Sequence, residues 1–346
     1  MLSKGFKIIS PKTFEIDVDT VKSKIGNAIV KVDYIAVCKA DLRYYLGKRD
    51  ERILGLKYPM RLIHEATGTI LKDNTGKFKV GDKVVLVPNI CECDNCDFNC
   101  KDNEALGENY CPKAKFASSN YDGFSCECLS YPSKNMVKLD NEKYSEKYVF
   151  LELISVAVAA IRRVDNINGL KIGVWGDGIL GYILSNTLKV LFPDSKVYCI
   201  GNNEYKLNKF NIDGTYLVNS AELNKEVFDL CFECVGGNAA ENAINQIIEK
   251  CKFGGDIVLT GVSENGALIN TRRILEKAVR ITGTTRSTVR DFKTAVDLIE
   301  NTNLLDELER LVLSTKEVND IYAYYSVFDK EVENRELGKH IMKLNL

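Results

Sequence analysis

The stretch Lys171-Ile172-Gly173-Val174-Trp175-Gly176-Asp177-Gly178-Ile179-Leu180-Gly181 reads as a short apolar strand, a glycine turn and the opening of a helix. In a dinucleotide-binding unit each glycine of such a turn has its own task. The first makes the tight turn, the second lets the backbone approach a pyrophosphate, and the third lets the helix pack on the strand. The first N–H groups of the helix lack partners within it and point at an anion. Gly176, Gly178, Ile179, Leu180 and Gly181 are therefore candidate cofactor-binding residues. A glycine-rich turn without a ligand is the bland alternative, and the strand before it and helix after it argue against that.

Outward from this turn, strand and helix signals alternate. Strands are expected at Lys171 to Trp175, Lys196 to Ile200, Phe228 to Cys234 and Asp256 to Thr260, with helices at Ile179 to Leu191 and Asn238 to Cys251. Such alternation predicts a doubly wound parallel sheet with helices on both faces. Before it, a helix is expected from Val149 to Val164. Residues 1 to about 140 differ: Ala28 to Tyr34 and Lys83 to Val87 are strand-like, and Gly76 to Asp82 has turn chemistry. This part is expected to be β-rich and barrel-like. From Asp291 onward helices are expected, then a last strand near His340 to Leu344.

Composition excludes some functions. With 47 Lys and Arg against 48 Asp and Glu, the net charge of −1 offers no footprint for nucleic acid or an anionic membrane. No apolar run follows Lys4, so no signal peptide is expected. The longest apolar stretch, Tyr148 to Ile161, is broken by Glu152 and is too short to span a bilayer. A cytoplasmic location is expected. In a reducing compartment, clustered cysteines point to metal rather than disulfides. Five of the twelve lie between Cys91 and Cys111.

The strand after the glycine turn ends at Ile200-Gly201-Asn202-Asn203-Glu204. An NAD site places an acid at this strand end to bind the ribose 2′-hydroxyl. Here Gly201 and Asn202 stand there, and Asn202, Asn203 and Lys206 offer hydrogen bonds to a 2′-phosphate. NADP(H) is the expected cofactor. The alternative has Glu204 reaching back to select NAD.

Only two histidines occur. His64 is followed by Glu65, and Cys38 and Glu152 are available elsewhere; Cys, His and Glu with one open position suit catalytic zinc. A lone histidine is more often structural, and that reading stands beside this one. Taken together, Cys38-Lys39-Ala40-Asp41, His64-Glu65, Leu151-Glu152-Leu153-Ile154 with Arg162-Arg163, and the glycine turn resemble the zinc-containing medium-chain dehydrogenases, in their sorbitol dehydrogenase-like branch. The resemblance implies an α/β architecture: a GroES-like β-rich catalytic domain over residues 1–152 and 287–346, and a Rossmann cofactor domain over 153–286. It implies Cys38, His64, Glu65 and Glu152 around catalytic zinc. It also implies that Cys93, Cys96, Cys100 and Cys111 form a structural zinc lobe, with Cys91 as the spare. Free surface thiols are the alternative for that cluster.

Shorter stretches, among them Arg43-Tyr44-Tyr45-Leu46-Gly47, Trp175-Gly176-Asp177-Gly178 and Arg286-Ser287, are similar to ribulose-5-phosphate reductases of bacterial wall-polymer synthesis. This implies NADPH-linked reduction of ribulose 5-phosphate to ribitol 5-phosphate, on the route to CDP-ribitol and teichoic acid. Arg43, Tyr44 and Arg286 are then the candidate substrate residues, since a guanidinium matches a phosphate, and a homo-oligomer, dimer or tetramer, is expected. The chain departs from the wider family at Ala40, where a proton-relay hydroxyl is usual, and at Arg43, where a relay histidine is usual. Rival readings are an NAD-dependent polyol dehydrogenase acting on an unphosphorylated sugar alcohol, and a non-catalytic nucleotide-binding member.

Overall fold

The computed structural model of the chain describes residues 1–346 apart from positions 94, 95, 98, 101, 102, 104 and 105. It divides into two compact units: residues 1–152, 287–301 and 311–346 form the first, and 153–286 with 302–310 the second. The sequence reading placed 302–310 in the first unit. They belong to the second because the helix Leu304–Leu308 packs on the helix Ile179–Leu191. There the Tyr182 hydroxyl donates to Glu307 Oε2 at 2.9 Å.

The second unit is built on a six-stranded parallel sheet. Its spatial order is Gly214–Leu217, Lys196–Gly201, Lys171–Trp175, Phe228–Glu233, Cys251–Leu259, Arg280–Gly283. Numbered along the chain this is 3-2-1-4-5-6, the doubly wound order. The Lys171–Trp175 strand lies in the middle, so Ile172, Val174 and Trp175 are all buried and the stretch reads as a continuous apolar run. The outer strands Gly214–Leu217 and Arg280–Gly283 gave no sequence signal, because half-exposed edge strands need no such run. The expected helix from Asn238 begins only at Ala240, after a single turn at Gly237–Ala239, and ends at Lys250 because Cys251 opens the next strand. Strand order reverses between Lys171–Trp175 and Phe228–Glu233. A ligand in such a sheet binds beyond the carboxyl ends at that reversal, and the glycine turn follows Trp175 there.

The first unit is the expected β-rich body. Its seven-stranded sheet runs Met136–Lys138, Lys83–Leu86, Glu65–Asp73, Asn27–Ala36, Lys339–Leu344, Val312–Val318, with Cys128–Pro132 also pairing with Asn27–Ala36. A three-stranded sheet, Thr13–Thr20, Leu2–Ser10 and Met60–Arg61, accompanies it. The tail has the expected last strand, Lys339–Leu344, and one strand more. The strand Val312–Val318 was missed, and it pairs in parallel with Lys339–Leu344 through the crossover helix Ile321–Glu333. Tyr324 and Phe328 of that helix meet Phe6 and Phe14, with ring centroids 4.6 Å apart for Phe6–Tyr324 and 4.9 Å for Phe14–Phe328. This aromatic core ties the C-terminal segment of the unit to its first strands.

Candidate functional site

Cys38 is the N-cap of the helix Lys39–Tyr45, with extended φ and ψ of −93° and 158°. One turn on, Asp41 folds back, and its Oδ2 accepts the Cys38 N–H at 2.9 Å. Oδ1 of Asp41 accepts the Ile63 N–H at 3.2 Å and the Ser118 hydroxyl at 2.5 Å, and lies 3.6 Å from His64 Nδ1. Burial alone would raise the Asp41 pKa, but the facing His64 and these donors hold it below the usual carboxylate range. Asp41 thus ties together the two segments that carry Cys38 and His64. Sequence reasoning had given it no role.

Ile63, directly before His64, has φ 77° and is fully buried. A β-branched residue rarely adopts this left-handed conformation. Asp41 holds its N–H, and its carbonyl accepts the Phe124 N–H at 2.8 Å. Consecutive residues of a plain strand point to opposite faces. After this turn, however, His64 and Glu65 both reach one place: Cys38 Sγ, an imidazole nitrogen of His64 and a carboxylate oxygen of Glu65 lie within 4.8 Å of one another.

The charged groups around this site are paired with one another. Burial opposes a charged imidazole, yet Asp41 and Cys38 hold the His64 pKa well above its ordinary value. Lys339 comes in from the last strand, is 4% exposed, and pairs with Glu65 Oε1. Burial works against the Lys339 charge, but Glu65 and Cys38 keep its pKa raised. Glu65 Oε2 is buried and has no hydrogen-bond partner. A thiol, an imidazole and an unsatisfied carboxylate oxygen, with one position open, fit the donor set of a catalytic zinc. Glu152, on the first turn of the helix Leu151–Ile161, is buried nearby without joining the close group. Burial raises its pKa to about 7, with His64 and Lys339 opposing and Glu65 reinforcing the shift. Lys339 was missed by sequence reasoning. Its one signal is a charged residue at an inward-facing strand position. The second histidine, His340, lies elsewhere, with Nδ1 2.8 Å from Ser314 Oγ.

In the cysteine segment, the Sγ atoms of Cys93, Cys96, Cys100 and Cys111 lie within 4.8 Å of one another. Cys91 Sγ is 3.7 Å from Cys100 Sγ but outside that group of four. Among the described residues, the buried cluster here consists of the cysteines and Ala114, with little apolar packing beside the thiols. Four thiols at this spacing fit a closed, structural zinc.

The glycine turn is built as its residues suggest. Gly176 has φ 130°, and a Cβ there would lie 2.9 Å from the Cys234 carbonyl. A Cβ at Gly181 would come within 1.9 Å of the Gly176 carbonyl oxygen, so a residue with a side chain there would push the helix off the turn. At Gly178 a Cβ would meet nothing within 4 Å, which leaves the backbone open to an approaching group. Gly178 is also the N-cap of the helix Ile179–Leu191, and no side chain caps it. An open, uncapped helix start beside a glycine cradle fits a pyrophosphate.

At the next strand end Gly201 and Asn202 directly follow Ile200, with no acid of the strand itself, but a carboxylate arrives from the glycine turn. Asp177 Oδ2 accepts the N–H groups of Asn202 and Asn203, each at 2.7 Å. Asn203 Oδ1 accepts the Lys206 N–H at 3.2 Å. A second carboxylate with a positioning role, Glu233, is 1% exposed. It accepts from the N–H groups of Val235 and Gly236 at 2.8 Å and of Gly261 at 2.9 Å, pinning the loops after two adjacent strands.

Of the three candidate substrate residues, Arg43 lies in the last turn of the helix that Cys38 caps and is half-buried. Arg286 ends the longer segment of the second unit in a left-handed conformation, φ 59°, with its pKa lowered by burial. Tyr44 is a correction. Its ring is 3% exposed within the apolar core, under the Arg49 guanidinium at 4.5 Å, so packing rather than substrate contact explains it.

Two family profiles match the chain: the alcohol dehydrogenase GroES-like domain over residues 24–141 and the zinc-binding dehydrogenase over residues 196–301. Ribulose-5-phosphate reductase 1 of Staphylococcus aureus is 35% identical over 348 residues, covering 99% of each chain. The ribulose-5-phosphate reductase of Bacillus spizizenii is 36% identical over 352 residues, again covering 99% of each. The crystal structure of S. aureus TarJ in complex with NADPH superposes with a TM-score of 0.87 at 32% identity, covering 100% of both chains.

Proposed function

The chain belongs to the zinc-binding alcohol dehydrogenase family, and within it we propose that it reduces ribulose 5-phosphate to ribitol 5-phosphate with NADPH. The observation that carries metal-dependent chemistry is the Cys38–His64–Glu65 group, half-buried at Cys38 and buried at the other two, with its unsatisfied carboxylate oxygen. The substrate reading is supported by full-length relatives named for that reaction, and the cofactor reading by a similar chain solved with NADPH. When bound, zinc supplies a Lewis acid for the ketone oxygen, and NADPH supplies the hydride.

The chain's own residues have distinct tasks. Cys38 and His64 hold the metal, with Glu65 and Glu152 as its further ligand or the holder of a water beside it. Asp41 orients Cys38 and His64 through the Cys38 N–H and the imidazole Nδ1, and Lys339 restrains Glu65. Cys93, Cys96, Cys100 and Cys111 hold a second, structural zinc. Gly176, Gly178, Ile179, Leu180 and Gly181 cradle the pyrophosphate, while Asn202, Asn203 and Lys206 receive the 2′-phosphate. Ala40 carries no hydroxyl, so the proton that completes the alcohol comes from solvent. A guanidinium, Arg43 or Arg286, binds the substrate phosphate.

The protein works in the cytoplasm as a homo-oligomer, dimer or tetramer. The cytoplasmic reading is supported by metal-spaced thiols rather than disulfides. The oligomer is supported by the edge strand Arg280–Gly283 and the exposed Leu268 and Leu275. No helix among the described residues is long and apolar enough to cross a membrane.

Absorbance of the reduced nicotinamide, followed with ribulose 5-phosphate, ribulose and sorbitol against both cofactors, tests the reading. Turnover should be highest with ribulose 5-phosphate and NADPH. Losing one bidentate phosphate contact weakens substrate use by about 10- to 100-fold, so Arg43→Ala should lose that much on the phosphorylated sugar and little on ribulose. Preference for an unphosphorylated polyol with NAD would replace this reading with a polyol dehydrogenase.

A further inference from the structure

Asp177 occupies the middle of the glycine turn, where the pyrophosphate motif asks for no particular side chain. Instead of pointing to solvent, its carboxylate crosses to the neighbouring strand. Oδ2 accepts both the Asn202 and Asn203 N–H groups at 2.7 Å. Gly201 makes this possible. A Cβ at Gly201 would lie 2.6 Å from both Cβ and Oδ2 of Asp177 and 2.8 Å from its Cγ. Asp177 and any side chain at position 201 therefore exclude one another.

The geometry also separates this carboxylate from an NAD-type acid. Such an acid begins at the strand-end Cβ and carries its carboxylate further out, toward the ribose. Asp177 brings its Oδ2 to 2.6 Å from where that Cβ would stand, beside the root of that position rather than at its tip. Both backbone donors of the turn are already used. What remains outward are the exposed Asn202 and Asn203 side chains and Lys206, whose backbone N–H is held by Asn203 Oδ1 at 3.2 Å. That leaves the Asn202 and Asn203 amide nitrogens and the Lys206 ammonium as donors for an anion.

Resting on the NADPH reading above, we propose that Asp177 is the positioning residue for cofactor selection. It keeps position 201 empty and draws the Asn202–Asn203 turn inward, so that side-chain amides and Lys206, and not an acid, face the adenosine ribose 2′ position. Glycine at 201 and aspartate at 177 then form one selectivity device from two segments of chain.

The test is fluorescence titration of the zinc-loaded protein with NADPH and NADH, using Asp177→Ala, Asp177→Asn, Gly201→Ala and the Asp177→Ala/Gly201→Ala double variant. Thermal midpoint and zinc content are measured on each. Asp177→Ala should weaken NADPH binding by about tenfold, the scale of one lost contact to a charged group, while NADH changes far less. KM for NADPH should rise with kcat unchanged. Gly201→Ala should reproduce this without altering any charge, and should add little on top of Asp177→Ala, because the clash it creates is then gone. Asp177→Asn, which keeps an acceptor oxygen, should lie between. Equal weakening of both nucleotides would reduce Asp177 to a structural role. Tighter NADPH binding in Asp177→Ala would show that the carboxylate repels the 2′-phosphate. Either result overturns the proposal. If the unaltered protein binds NADH more tightly than NADPH, the cofactor reading itself fails, a result visible before any variant is compared.

Discussion

Asp41 offers a quantitative test of how the metal group is held. Its two oxygens accept the N–H groups of Cys38 and Ile63 and the Ser118 hydroxyl, and one of them faces the His64 imidazole. Asp41 is 1% exposed, so water cannot easily replace it. Asp41→Ala would orphan three donors, the Ile63 N–H and Ser118 hydroxyl buried and the Cys38 N–H half-buried, each costing about 1–3 kcal/mol. Allowing for relaxation, the expected loss of stability is about 3–6 kcal/mol, a large part of the roughly 5–15 kcal/mol of an ordinary domain. Asp41→Asn keeps one oxygen and should cost about half as much, since one of its two positions becomes a donor facing another donor. Partners that orient a metal-binding imidazole are worth about 10- to 100-fold in metal affinity. Urea unfolding gives the first quantity, and competition for zinc with a chromophoric chelator gives the second. In Asp41→Asn, the zinc released at low chelator should be the catalytic one, with the cysteine-bound ion retained. If Asp41→Asn unfolds and holds zinc like the unaltered protein, Asp41 does not brace this site.

Other outcomes follow from the same geometry. Metal analysis should find about two zincs per chain; Cys91→Ser should keep both and Cys93→Ser should lose one, whereas loss in Cys91→Ser would move the ligand set to include Cys91. Lys339→Met leaves the Glu65 carboxylate buried without its cation, which should cost about 3–5 kcal/mol in zinc-stripped protein. The cost should be smaller once zinc is restored, and a calorimetric scan of both forms reads the difference. Asp73 has its pKa lowered to about 2: burial raises it, but the N–H groups of Phe78 and Thr75 and the hydroxyls of Thr75 and Ser133 more than offset that. A depressed folded-state pKa adds stability above the unfolded value near 3.8 and loses it as pH falls toward 2. Asp73→Asn should therefore flatten the acid limb of a stability–pH curve in that window, and an unchanged limb would assign it to other carboxylates.

Local chemistry was enough to read the nucleotide half of the chain. A buried central strand must be apolar along its length, and a phosphate turn must be glycine at fixed offsets. Lys171–Trp175 and Ile179–Leu191 were therefore legible residue by residue. The metal-binding residue types were legible too, because thiol, imidazole and carboxylate are the groups zinc accepts. What stayed hidden depends on long-range approach. The edge strands and Val312–Val318 carry no run of their own and exist because a neighbour offers hydrogen bonds. Lys339 reaches Glu65 across 274 residues of chain, and Ser118 reaches Asp41 across 77. Sequence alone assigned Tyr44 to substrate, because adjacency to a zinc segment says nothing about which way a ring points, and packing turned it into the core. The strand end after Ile200 looked free of acid for a related reason. Position along the chain names the residue there, but only the tertiary structure decides whose carboxylate arrives, and a glycine at 201 admits Asp177 from another turn.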